Sequence, residues 1–296
     1  VKPFLRWPGG KTSILKCLLP LVPKNFQIYY EPFLGGGALY FTLAQLRQEG
    51  EIQFAHALLS DVNINLMEAY QAVRNNVDEL LLLLRKMEQS YQKKMTSCPE
   101  EAKDMYLEIR SKNPSTILDR AARFIFLNKT CFNGLYRENA KGEFNVPFGK
   151  RKTPGIHNSE LLMSAHQFLV RDFLKVGNYT IADAAKQGDF VYFDPPYFPV
   201  KRVSFTQYGS RQWTIEQHIQ LADFFRKLNG RKIDLLLSNS DTQEVRELYS
   251  DFAIIEVKQY RSIGGAGESR ISKGDLLILS DSLSRLVFQQ SRGGND

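Results

Sequence analysis

Short apolar runs closed by turn residues mark the strands of this chain. Residues 27–30 run into Glu31-Pro32-Phe33-Leu34-Gly35-Gly36-Gly37, residues 54–59 end at Ser60-Asp61, and residues 190–193 end at Asp194. Residues 233–237 end at Ser238-Asn239, and residues 252–257 with 276–279 have the pattern of a hairpin. Helical spacing takes over at 38–48, 64–75, 77–92 and 214–228. Thr214 with Gln217 reads as a capping box at the start of the last of these. Strands alternating with helices predict an α/β fold with a doubly wound, mostly parallel sheet. Ligands of such sheets bind beyond the carboxyl ends of the strands, where the Gly-rich turn, Asp61 and Asp194 fall.

The segment 63–155 breaks that rhythm. It begins helical and then carries Asn133-Gly134 and Lys141-Gly142, both turn signals. Basic residues gather near its end: Arg137, Lys141, Lys150, Arg151 and Lys152. The expectation is an inserted lobe over 63–155, with 1–62 and 156–296 forming one catalytic domain.

Composition narrows the function without naming it. The net charge of +7 on 296 residues suits a polyanionic partner. Three cysteines (Cys17, Cys98, Cys131) make no Cys-x-x-Cys pair, and the four histidines lack metal-ligand spacing, so neither a metal site nor a disulfide framework is expected. No apolar run reaches the length of a membrane span, and no basic-then-apolar leader is seen. A cytosolic protein with no membrane partner is therefore expected.

Two motifs carry chemistry. In the first, glycines after a strand let backbone approach a ligand, and the following helix start offers free N–H groups. Asp61, at the end of the next strand, is positioned to accept hydrogen bonds from a ribose. A dinucleotide fingerprint would want glycine where Tyr40 stands, so an adenosyl cofactor fits better than NAD. Gly10-Lys11-Thr12 resembles the end of a phosphate-binding loop, but Leu5 stands where that loop needs glycine.

The second motif is Asp194-Pro195-Pro196-Tyr197. Two prolines fix their own φ angles and remove two donors, leaving rigid carbonyl acceptors at the strand end. The Asp194 carboxylate and the Pro195 carbonyl can accept both hydrogens of a planar exocyclic amine and favour a pyramidal, nucleophilic nitrogen. Tyr197 would stack on a base taken out of the duplex.

In order along the chain, these residues resemble the Dam-type, or D12 class, adenine-N6 DNA methyltransferases. The resemblance rests on Phe4-Leu5-Arg6-Trp7-Pro8-Gly9-Gly10-Lys11, the Gly-rich turn, Ser60-Asp61-Val62-Asn63, the segments 133–137 and 142–149, Asp194-Pro195-Pro196-Tyr197 and Leu237-Ser238-Asn239-Ser240. It implies a Rossmann-like domain binding S-adenosyl-L-methionine through Trp7, Lys11, Phe33, Gly35, Gly37, Asp61, Asp172, Phe173 and Asp194. It implies a target-recognition hairpin in which Phe132 inserts into the duplex, Asn133, Leu135, Arg137 and Pro147 face bases, and Asn139 and Lys150 meet phosphates. Arg6 stands where the family has a basic residue reading an outer base. Arginine suits guanine and an apolar side chain suits the thymine methyl, so a GATC target in double-stranded DNA is favoured. The family likeness further suggests a monomer and a restriction-modification setting. An N4-cytosine methyltransferase, whose loop more often starts with Ser, and an inactive DNA-binding relative are the alternatives; Asp194 argues against the first, and the intact Gly35, Asp61 and Asp194 against the second.

Overall fold

The structure is a computed structural model that describes residues 2–139, 141–199, 213–257 and 274–290. Its strands are β1 (Ile28–Glu31), β2 (His56–Asp61), β3 (Phe173–Val176), β4 (Phe190–Phe193), β5 (Asp234–Ser240), β6 (Ala253–Val257) and β7 (Asp275–Leu279). Among the described residues they form a seven-stranded sheet in the order β3-β2-β1-β4-β5-β7-β6. β1 with β4 and β4 with β5 pair parallel, whereas β7 runs antiparallel to both β5 and β6. The expected hairpin pairing is thus present, and the sheet is the mixed, mostly parallel one of an α/β Rossmann-like fold.

The helices are α1 (Leu15–Leu18), α2 (Ala38–Glu49), α3 (Ile64–Asn75), α4 (Val77–Ser97), α5 (Pro99–Ser111), α6 (Ile117–Thr130), α7 (Ser159–Leu169), α8 (Ile215–Gly230), α9 (Gln243–Leu248) and α10 (Asp281–Gln290). Periodicity finds α3 to the residue and α2 and α8 to within two, while α4 runs five residues further than expected. The Thr214 and Gln217 capping box forms with both of its hydrogen bonds. Sequence pattern leaves β3 unmarked because all four of its residues are exposed or half-buried, as befits an edge strand.

Two compact units divide the chain. One comprises Val1–Thr12, Leu34–Gly50 and Leu59–Val176; the other comprises Ser13–Phe33, Glu51–Leu58 and Gly177–Asp296. In the second unit, Tyr30, Val191, Phe193, Leu235, Leu237 and Ile278 from the strands bury against Leu221, Phe225 and Leu228 of α8. Phe26, Tyr29, Phe54 and Phe190 add an aromatic cluster, with Phe26 and Phe54 stacked at 5.0 Å. Buried Asp189 fixes the start of the strand pair: its carboxylate accepts from Ile28 N at 3.0 Å and from Lys186 N at 2.8 Å.

The first unit is a helical layer in which α3 packs on α6 and α7, and α4 on α5 and α6. Tyr70 sits at its centre, edge-on to Phe4 at 5.0 Å and stacked on Phe41 at 6.2 Å. A half-buried two-point ion pair joins α3 to α6, with Arg120 Nη2 and Nε at 2.6 and 2.7 Å from the Glu68 carboxylate. No helix among the described residues is long and apolar enough to cross a membrane, and no group of His, Cys, Asp and Glu among them could hold a metal ion.

Candidate functional site

β1 and β4 are parallel neighbours whose carboxyl ends share one edge of the sheet. From β1 the order continues to β2 and β3, and from β4 to β5 on the other side. This is the reversal point at which open α/β sheets bind ligands. Buried Glu31 ends β1 and accepts from Tyr29 Oη at 2.8 Å, and Asp194 follows β4.

The Asp194 loop is fastened by β5. Ser238 Oγ donates to Asp194 Oδ1 at 2.8 Å and lies 2.9 Å from Tyr192 Oη. Asn239 Oδ1 accepts from Phe198 N at 2.9 Å, and Ser240 Oγ donates to Phe198 O at 2.6 Å. Ser238, Asn239 and Ser240 therefore hold both ends of a loop whose middle is made rigid by Pro195 and Pro196. Pro195 is buried, Pro196 exposed, and Asp194 and Tyr197 half-buried. Tyr197 Oη donates to Asp275 Oδ2 at 3.2 Å. Burial, with Asp194 and Asp275 beside it, raises the Tyr197 hydroxyl well above its ordinary pKa, and burial with Asp194 does the same for Tyr192. Both hydroxyls stay protonated donors around the carboxylate. Phe33 packs edge-on to Trp213 at 5.3 Å and stacks on Tyr179 at 6.2 Å.

In the helical unit, the Gly-rich turn and Asp61 form one assembly. Gly35 and Gly37 have φ of +48° and +68°, a conformation that side chains disfavour. A Cβ on Gly35 would lie 2.7 Å from the Trp7 ring, and one on Gly37 would lie 2.9 Å from Tyr70 Oη. The Asp61 carboxylate accepts from Gly35 N at 3.1 Å and from Asn63 N at 2.9 Å, which holds the turn against the end of β2. This cradle of bare backbone with an anchored carboxylate fits an adenosyl group. Trp7 stacks on Tyr136 at 5.2 Å, and Tyr136 is bonded to Asn65 and Glu138. Lys11 is buried and donates to Gly9 O at 2.8 Å. Asp172 is buried too, with Arg47 at 3.1 Å and Tyr40 Oη at 2.8 Å on its carboxylate, while the neighbouring Phe173 is 56% exposed. Of that pair, the ring faces solvent and the acid braces α2.

The segment after α6 doubles back on itself through two isolated antiparallel bridges, Cys131 with Phe148 and Glu138 with Phe144, rather than a continuous ladder. Its backbone is held from behind. Tyr106 Oη donates to Val146 O at 2.7 Å, Arg110 reaches the same carbonyl at 3.2 Å, and Tyr91 Oη donates to Arg151 O at 2.7 Å. Its outer side presents Phe132, Asn133, Leu135, Arg137, Pro147 and Lys150, all exposed. Phe132 is 50% and Leu135 42% exposed although both are apolar. Arg137 is braced by Asn145 at 2.7 Å, and Asn139 closes its turn by accepting from Lys141 N and Glu143 N. Sequence reasoning missed the bracing residues Tyr91 and Tyr106, and read Ser238 as part of a motif without giving it this role. A tyrosine inside a helical apolar stripe looks like core until its hydroxyl partner is seen.

A sheet reversal edge carrying Asp-Pro-Pro-Tyr, together with a glycine cradle closed by a carboxylate, defines the class of Rossmann-like methyltransferases. The family model for D12 class N6 adenine-specific DNA methyltransferase matches residues 7–263. The chain is 40% identical to the type II methyltransferase M.MjaIII of Methanocaldococcus jannaschii, over 91% of this chain and 95% of that protein. It is 35% identical to a type II methyltransferase of Lactococcus lactis subsp. cremoris, with 94% and 95% covered. A DNA adenine methylase of Escherichia coli is 33% identical, with 93% and 94% covered. This chain belongs to the D12 class of N6 adenine-specific DNA methyltransferases, and is an enzyme of that kind.

Proposed function

We propose that the protein transfers a methyl group from S-adenosyl-L-methionine to the N6 amine of adenine in GATC sites of double-stranded DNA, after taking the adenine out of the stack. The observation that carries the catalytic part is the fastening of Asp194 by Ser238 at the end of β4. Held in this way, the Asp194 carboxylate would accept one amine hydrogen and the Pro195 carbonyl the other. The amine so oriented would stand in line for a methyl group supplied by the bound cofactor, its surplus proton passing to water. The cofactor supplies an electrophilic methyl on a positively charged sulfur when bound. The chain's own part is orientation and exclusion of water more than proton transfer. Trp7, Lys11, Gly35, Gly37, Asp61 and Phe173 would hold the cofactor in the helical unit, and Phe33 would contribute from the end of β1.

Exposed Phe132 and Leu135, ringed by Arg6, Asn133, Arg137 and Lys150, support a duplex-reading surface in residues 63–155, which we take as the inserted recognition lobe. Phe132 would fill the gap left by the extruded base. Arg137 would read guanine and Leu135 the thymine methyl. Asn139 and Lys150 would meet phosphates.

Tritiated S-adenosyl-L-methionine should label GATC duplexes in adenine, and Asp194→Ala should abolish labelling while duplex binding persists. Label in cytosine, or labelling retained in the variant, would refute the reading.

A further inference from the structure

Arg6 precedes α6 by more than a hundred residues, yet its backbone is bound by a single side chain of that helix. Arg6 N donates to Asn128 Oδ1 at 2.9 Å, and Asn128 Nδ2 donates to Arg6 O at 2.7 Å. Asn128 is 2% exposed, so this two-point clamp is shielded from competing water. The Arg6 side chain then lies across Gly134, in the turn between Phe132 and Leu135. Gly134 has φ of +65°, and a Cβ there would fall 2.6 Å from Arg6 Cδ. Beyond that contact the guanidinium is exposed and makes no hydrogen bond or ion pair among the described residues. An arginine with its backbone saturated, its stem seated and its head group free is preorganised for an incoming acceptor. The surroundings agree. Arg151 and burial lower the Arg6 pKa, and burial with Arg6 and Arg151 lowers that of Lys129 to about 8. Among the described residues these three cations have no carboxylate partner.

We infer that Asn128 is a positioning residue for sequence discrimination: by clamping the Arg6 backbone to the end of α6, with Gly134 kept bare beneath the side chain, it makes Arg6 part of the base-reading surface. The inference rests on the proposed reading of Arg6 as a contact to an outer base pair. A buried asparagine that served only to cap a loop would not need a glycine of left-handed conformation under the arginine's stem.

The test compares single-turnover methylation of a GATC duplex with duplexes altered at one base pair each. Arg6→Ala should relax discrimination at one pair, by about tenfold to a hundredfold for a lost bidentate contact. Asn128→Ala should relax the same pair and no other, and the Arg6→Ala/Asn128→Ala double variant should lose no more than Arg6→Ala alone. Asn128→Asp keeps the acceptor for Arg6 N and loses the donor to Arg6 O, so it should fall between; it also serves where the alanine variant folds poorly. Gly134→Ala should act on that pair as well. Uniform slowing on every duplex, or relaxation at the pair governed by Arg137, overturns the inference. Normal GATC labelling with Arg6→Ala indifferent to every pair overturns it alone, whereas absence of GATC labelling in the unsubstituted protein overturns the proposed function.

Discussion

The loop after β4 and the arm after α6 solve opposite problems. The loop is short, half-buried and fastened at both ends by Ser238, Asn239 and Ser240. The arm is long, paired at two isolated bridges, and held at Val146 O and Arg151 O and by the rings of Tyr136 and Phe148. Several of its side chains stay exposed, among them the apolar Phe132 and Leu135. Where a reaction geometry must be held, the fold restrains side chains as well as backbone. Along the arm it holds carbonyl oxygens and two rings and leaves Phe132, Leu135 and Pro147 exposed.

The largest expected break in this contrast is Asp194→Ala, which should lower methylation by about a thousandfold or more while duplex affinity stays within a few fold. Next is Lys129, half-buried beside Arg6 and Arg151 with its pKa lowered to about 8. Because the folded-state value lies below the unfolded one, the unfolded chain binds the extra proton between pH 8 and 10.5, and stability should rise with pH across that window. Lys129→Met should stabilise the free protein by up to about 3 kcal/mol at pH 7, seen as a raised Tm, and should weaken duplex binding with a shallower salt dependence. An unchanged Tm would mean that the cation already sits comfortably. Arg137→Ala should cost about 1–3 kcal/mol of discrimination at its base pair, and equal loss on specific and random duplexes would remove it from the readers. Ser238→Ala should reduce kcat about tenfold with KM for DNA little changed, since it loosens the carboxylate and touches no DNA residue. At neutral pH the smallest effect belongs to His218, a buried ring between Phe198 and Trp213 whose pKa is pushed down to about 4 by burial. The folded-state value is below the unfolded one, so its contribution is complete above pH 6.5 and is lost as pH falls toward 4. His218→Leu should flatten the acid limb of a stability profile by roughly 2 kcal/mol at pH 5 and leave pH 7.5 nearly unchanged.

Legibility in the sequence follows the same division. The strands around the loop are apolar runs ended by Glu, Asp or Ser, so β1, β4 and β5 and the Asp-Pro-Pro-Tyr motif stand out together. The Gly-rich turn is readable because its glycines are forced: Gly35 and Gly37 need positive φ and have neighbours where a Cβ would go. The arm's clamp is not readable. Asn128 stands in Phe126-Leu127-Asn128-Lys129 as one of several polar residues of α6, and nothing local says that its partner is Arg6. β3 escapes notice for another reason, since an exposed edge strand has little apolar pattern to give. Long-range polar partnerships and edges are properties of the assembled chain, whereas buried strand ends are properties of a segment.

The hydroxyls of Tyr91 and Tyr106 grasp carbonyl oxygens, and every amino acid supplies the same carbonyl. These two hydrogen bonds are therefore indifferent to which side chains the arm displays. Exposed positions such as Leu135 and Pro147 can change identity without disturbing those bonds, so on the proposed reading a drift in target sequence would proceed by surface replacements one at a time.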